Sequence, residues 1–174
     1  DRFEHHAVLH TLKRLEKQGF EVTLLDVHAD GLVTAQQVAD AIRGDTCLVT
    51  IMFANNEIGT IEPVRQLAAA AHEANVVFHT DAVQAFGHEP IDVNELGIDM
   101  LSASSHKIYG PKGVGLLYVR RGVKLQNLLD GGQQERGRRG STENVPGIVG
   151  FARAAELAVD ELAPEHNRQL ALRC

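Results

Sequence analysis

Ser102-Ala-Ser-Ser-His-Lys-Ile-Tyr-Gly-Pro-Lys-Gly-Val-Gly115 joins two apolar runs, one ending at Ala103 and one running from Val114 to Val119. Runs of this kind read as strands buried on both faces, and the glycines and Pro111 between them read as a turn. His106 and Lys107 thus stand where two buried strands meet. Taken alone, a lysine at a strand end is a solvated surface group. A partly desolvated amine on a flexible stem, however, has a lowered pKa and can form a Schiff base, which a guanidinium cannot do. The neighbouring strand ends decide between the two.

Working outward, Glu4 to Gly19 carries Val8, Leu12 and Leu15 at helical spacing, and Gly19 is a natural stop. Glu21 to Leu25 reads as a short strand. Thr34-Ala-Gln-Gln37 has the form of a capping box and opens a helix to about Arg43. Thr46 to Phe53 is a buried strand, Pro63 opens an alanine-rich helix to Ala74, and Val76 to Thr80 and Asp99 to Ser104 are further strands. The chain closes with a helix from Gly147 to Leu162, a break at Pro164, and a helical piece to Cys174. Strands alternating with helices predict an α/β fold, a mainly parallel sheet with helices on both faces.

The 174 residues, 44% hydrophobic, suffice for one core, and a net charge of -6 excludes partners that need a positive field, nucleic acid and membrane surfaces among them. No apolar run is long enough to span a bilayer. Cys47 and Cys174 form no disulfide framework and no metal spacing, which suits a reducing cytoplasm; Cys47, inside a strand, is expected to be a small core residue.

Open parallel sheets bind ligands outside the carboxyl ends of their strands. After Phe53 come Asn55, Asn56 and Glu57; after Thr80 come Asp81 and Gln84; after Ala103 come Ser104, Ser105, His106 and Lys107. An aspartate closing a buried strand costs desolvation unless something cationic meets it. A protonated pyridine nitrogen is such a partner. Pyridoxal phosphate needs a lysine for its aldehyde and an acid for its ring nitrogen, and Lys107 and Asp81 supply them.

Four segments then carry a resemblance: Glu4-His-His-Ala-Val8, Asn55-Asn-Glu-Ile-Gly59, His79-Thr-Asp-Ala-Val-Gln84 and Ser104-Ser-His-Lys-Ile-Tyr-Gly-Pro-Lys-Gly113. A fifth is the glycine- and arginine-rich stretch from Gly131 to Asn144. In this order they resemble the cysteine desulfurases and selenocysteine lyases, class V aminotransferases of pyridoxal phosphate fold type I. The resemblance implies the large-domain fold of those enzymes and specific roles. Lys107 holds the cofactor and moves the proton, and Asp81 keeps the ring nitrogen protonated. His5 stacks on the ring, Gln84 and Asn56 meet its phenolic oxygen or the substrate carboxylate, and Ser104 and His106 donate to the phosphate. Thr142 reaches the phosphate of the other subunit of a homodimer. The implied reaction takes the sulfur of L-cysteine, leaving L-alanine and a persulfide on an enzyme cysteine, for iron-sulfur cluster assembly or another sulfur supply, with sulfur-acceptor or scaffold proteins as partners.

Each residue also has a plainer reading. His5 can be a capping residue, Asn55 and Asn56 turn residues, Ser104 a partner for a strand-end backbone group, and Arg136, Arg138 and Arg139 a solvated loop. His5, His6 and His10 lack a carboxylate or cysteine at ligand spacing, so no metal site is expected. Ser105 stands where the family has glycine or alanine, and Gly140-Ser141 replaces its usual pair before Thr142. The family's amino-terminal phosphate-binding turn, its persulfide cysteine and its carboxylate-binding arginine have no counterpart here, and Cys174, Arg168 and Arg173 have no motif to substitute for them. Residues 1–174 are therefore expected to be an incomplete large domain, lacking an N-terminal segment and a C-terminal small domain and inactive alone. The rivals are a selenocysteine lyase, another class V enzyme such as an aminotransferase or kynureninase relative, and a non-catalytic interaction module.

Overall fold

The structure, a computed structural model, describes residues 1–172. Helix α1 spans His6–Glu16, with Lys13 and Arg14 in its last turn, where cations suit the helix dipole. Helix α2 spans Ala35–Ala41 and opens with the expected capping box, Thr34 and Gln37 satisfying each other's backbone N–H groups. Strand β1, Leu48–Thr50, leads to helix α3, Val64–Glu73, which turns Leu67, Ala68 and Ala71 into the core. Strands β2, Val77–Asp81, and β3, Met100–Ser104, follow, then a single 3-10 turn, Ser105–Ile108, and strand β4, Gly115–Val119. A four-residue helical turn, α4 at Gln134–Gly137, precedes the final helix α5, Val145–Leu172.

The sheet runs in the order β1-β2-β3-β4, parallel from β1 to β3, with β4 antiparallel to β3. Residues 105 to 114 are too short a link for a crossover, so β4 folds straight back on β3. Helix α3 packs on β2 and α5 on the Ser105–Ile108 turn, giving the expected α/β architecture, a mostly parallel sheet with helices around it. Strand alternation sorts the side chains. Phe78, Thr80, Leu101 and Ala103 are buried along one face; His79, Asp81, Ser102 and Ser104 share the other.

Three expectations are corrected. Glu21 to Leu25 is extended but forms no strand; this segment and β1 line a common cavity of about 450 Å³ instead of pairing. Pro164 does not break the last helix, which continues through it to Leu172. A proline inside a helix loses one hydrogen bond and need only bend it. Cys47 is exposed, because it precedes β1 at the rim of that cavity instead of lying inside the strand. Cys174 and Arg173 lie outside the described residues.

At the amino-terminal end of the sheet, Asp99 is buried and braces three elements. One of its oxygens accepts the Phe78 N–H at 2.9 Å and lies 2.7 Å from His72 Nε2; the other lies 3.1 Å from Arg120 Nε. The Arg120 guanidinium also donates to the carbonyls of Val93 and Ile98. Removing one member of a buried charged network leaves the rest unpaired. Asp99→Ala is expected to cost about 3 kcal/mol in denaturant unfolding, with little change in the slope of the transition.

Candidate active site

The chemistry gathers at the opposite, carboxyl-terminal end of the same strands. Register sets it there: Asp81 pairs with Ser102, the Phe53 N–H donates to the Asp81 carbonyl at 2.9 Å, and the Ala82 N–H to the Ser102 carbonyl at 2.9 Å. Asp81, 8% exposed, accepts one hydrogen bond through its side chain, from the Val83 N–H at 2.9 Å. Among the described residues no ion pair reaches it. It is a carboxylate in a low-dielectric place without a cation.

Ser104 closes β3, and the 3-10 turn then carries Ser105, His106 and Lys107 past the strand end. The backbone of this turn is fixed. The Ser105 N–H donates to the Val114 carbonyl and the Gly110 N–H to the Ser105 carbonyl, each at 3.0 Å, while Tyr109 takes a left-handed conformation with φ of 64°. A Cβ at Gly110 would run into Ser105 Oγ, so the turn needs glycine there. His88 Nε2 donates to the Lys107 carbonyl at 3.2 Å. Against the expectation of a desolvated amine, Lys107 is exposed, as is His106, because the turn lifts both side chains beyond the strands.

The amino-terminal segment docks on the same end. Glu4 accepts the Met52 N–H at 2.8 Å, and Asn55 Nδ2 donates to the Phe3 carbonyl at 2.8 Å, which brings His5 to this side of β1. His5 caps α1, its Nδ1 accepting the Ala7 N–H at 3.2 Å. The Asn55 side-chain oxygen accepts the N–H groups of Glu57 and Ile58, which makes it the anchor of a turn that presents Asn56 to solvent. Asn56, Gln84 and His88 line one open depression of about 490 Å³. Thr142 stands apart, exposed in the loop that precedes α5.

Three groups escaped the sequence reading. His79, two residues before Asp81 and on the same sheet face, has Nδ1 2.8 Å from Thr50 Oγ1 and Nε2 2.9 Å from Ser102 Oγ. Burial holds its pKa below the ordinary imidazole value, against the pull of Asp81. Glu4, itself buried, is pushed up chiefly by burial, with Asp81 adding to the rise, although it accepts the Met52 N–H. Glu62 is 3% exposed and is pushed up to about 7, first by burial and then by the Glu4 and Asp30 charges, although it accepts the Val33 N–H at 3.0 Å. Nothing in their spacing marks these acids as buried; His79 could have been found from its strand parity with Asp81.

With this geometry in view, comparison with known proteins is decisive. The sequence profile of the family described as "Aminotransferase class-V" matches residues 1–172. The chain belongs to the aminotransferase class-V family. It is 58% identical over 170 residues to the cysteine desulfurase IscS of Methanosarcina thermophila, covering 98% of this chain and 42% of that protein. A solved NifS-like protein superposes with a TM-score of 0.90 at 47% identity, over 93% of this chain and 45% of the other. A solved structure of SspA in complex with cysteine gives 0.86 at 50% identity, over 88% and 45%. The chain thus spans about 42% of the length of the curated relatives it matches. Class V members of this kind depend on pyridoxal phosphate. The donor set fits that group, since a buried carboxylate without a cation suits a protonated ring nitrogen and an exposed amine suits an aldehyde.

The Glu62 carboxyl gives a pH test of this acidic surround. With its folded pKa near 7 and an unfolded value near 4.5, the native chain keeps a proton that the unfolded chain releases. Its contribution is fully present below pH 4.5 and is lost as pH rises to about 7. Glu62→Gln is expected to raise the thermal midpoint relative to wild type at pH 8 and to leave it nearly unchanged at pH 4.5, as measured by thermal unfolding at both values.

Proposed function

We propose that this chain carries the cofactor-binding core of a pyridoxal phosphate-dependent cysteine desulfurase, acting on L-cysteine to give L-alanine. The observation that carries the reading is Asp81, a buried carboxylate without a cation, one strand away from the turn that presents Lys107. The identity to desulfurases named IscS and the likeness to SspA in complex with cysteine support the substrate.

When bound, pyridoxal phosphate supplies an electron sink that weakens bonds at the substrate carbon beside the amino group. The protein's part is to hold and to move protons. Asp81 would hold the ring nitrogen of the cofactor and favour its protonated form, since no ion pair among the described residues competes for it. Lys107 Nζ would be the group that holds the cofactor and moves a proton at the substrate carbon. His5, with Nδ1 occupied in capping α1, offers its ring face, while Gln84 and Asn56 supply amide donors from their shared depression. Ser104 and His106 donate to the phosphate. Thr142, exposed on its loop, serves the second subunit of a homodimer.

The sulfur needs a separate acceptor. Cys47 precedes β1, whose first residue pairs with Val77, so it stands at the far end of the sheet from Asp81. Four residues of strand separate Val77 from Asp81, about 13 Å. Sulfur would leave to an enzyme cysteine that is not in this chain, on the way to iron-sulfur cluster assembly or another sulfur acceptor. A cytoplasmic setting belongs to the same proposal, and no helix among the described residues is long and apolar enough to cross a membrane.

Borohydride reduction after incubation with pyridoxal phosphate is expected to fix the cofactor on Lys107, as read by peptide mass mapping, and Lys107→Ala abolishes the adduct. Asp81→Ala is expected to weaken cofactor binding by about tenfold or more, the equivalent of one pKa unit at the ring nitrogen. A label on any other lysine overturns the site. Sulfide released from L-cysteine with a thiol reductant present tests the reaction, and turnover of selenocysteine without sulfide release points to a selenocysteine lyase.

A further inference from the structure

The face of the sheet that carries Asp81 has a floor made by three side chains from three strands. His79 lies across it, its two ring nitrogens 2.8 Å from Thr50 Oγ1 on β1 and 2.9 Å from Ser102 Oγ on β3. Thr50 is the register partner of His79, and Ser102 that of Asp81. The imidazole therefore ties β1, β2 and β3 together one step below the carboxylate. A hydrophobic residue here would leave both hydroxyls without this partner, whereas a lysine or arginine would put a cation beside Asp81.

We propose that His79 is a positioning residue for the cofactor site, strapping three strands beneath Asp81 as a neutral imidazole so that the Asp81 charge stays free for a cationic ring nitrogen. The inference rests on the cofactor reading above and deepens it. A neutral ring has one donor and one acceptor nitrogen, and hydroxyls on both sides satisfy either tautomer. The hydrogen bonds therefore hold the ring without demanding a second proton. Asp81 on β2 is the charged group that bears on the imidazole, Thr50 and Ser102 are its uncharged neighbours from β1 and β3, and Glu4 bears on Asp81 from the amino-terminal segment. Protonating His79 turns it into a competitor for Asp81, so cofactor binding should weaken in acid through this residue.

Two measurements on the chain test this. Nitrogen-15 NMR of the imidazole, which needs no variant, is expected to show His79 neutral at pH 7; a cationic ring at pH 7 overturns the proposal. Pyridoxal phosphate titrations from pH 5 to 8 are then compared between wild type and His79→Gln, with folding checked by circular dichroism. The affinity of wild type is expected to fall in acid along a limb that His79→Gln lacks, and His79→Lys is expected to lose about tenfold or more across the range. Identical profiles for wild type and His79→Gln overturn the proposal while leaving the cofactor site intact. Failure of wild type to form the borohydride adduct on Lys107 overturns the cofactor reading and this inference with it.

Discussion

The parallel register of β2 against β3 is the constraint on which the rest of the structure depends. It is fixed at one end by Asp99, which accepts the Phe78 N–H and pairs with Arg120, and at the other by the Ala82 N–H on the Ser102 carbonyl. A slip of one residue would turn Asp81 into the core face and bring Thr80 out in its place. The same pairing decides where the 3-10 turn after β3 begins, and so where Lys107 stands relative to Asp81. Two acids on adjacent strands thus do opposite work. Asp99 opens its strand and spends its charge on His72 and Arg120; Asp81 closes its strand and keeps its charge.

That retained charge is costly in its setting. Glu4 and Glu62 are also buried nearby, each with an oxygen that finds no hydrogen-bond partner, and burial raises both carboxyls. Burial disfavours the charged form of each, and the Asp81 charge adds to the rise at Glu4. The result is a set of acids around one sheet end, in which burial lowers the pKa of His79 and Asp81 has no ion-pair partner among the described residues. Such a site suits a ligand that brings positive charge.

The sequence made the strands legible because buried parallel strands are continuous apolar runs, with ends close to those observed at Asp81 and Ser104, whereas β1 is shorter than its run from Thr46 to Phe53 and ends at Thr50. Capping at Thr34 was equally plain, since the box needs two residues and both are present. What failed were features set by partners distant in the chain. Glu21 to Leu25 has strand composition, but a strand needs a neighbour within hydrogen-bonding reach, and this segment and β1 line a common cavity instead of pairing. Pro164 looked like a break because local propensity ignores the turns on either side that sustain α5. Cys47 looked buried because its run is apolar, yet the strand begins one residue later. The neutral, strapped state of His79 depends on Thr50 and Ser102, far away along the chain, and composition cannot reveal it.

The contrast between Asp81 and Lys107 then has a physical reason. An acid that must stabilise one charge in one place benefits from being rigid, and burial together with the Val83 N–H makes it so. An amine with the role proposed for Lys107 needs a fixed base and a free tip. The turn provides the base through Ser105, Gly110 and His88, all of which bind its backbone, and leaves the side chain exposed. Desolvation was the wrong place to look for the special character of this lysine. It lies in a precisely held backbone under an unconstrained amine, one strand from a carboxylate that waits for a cation.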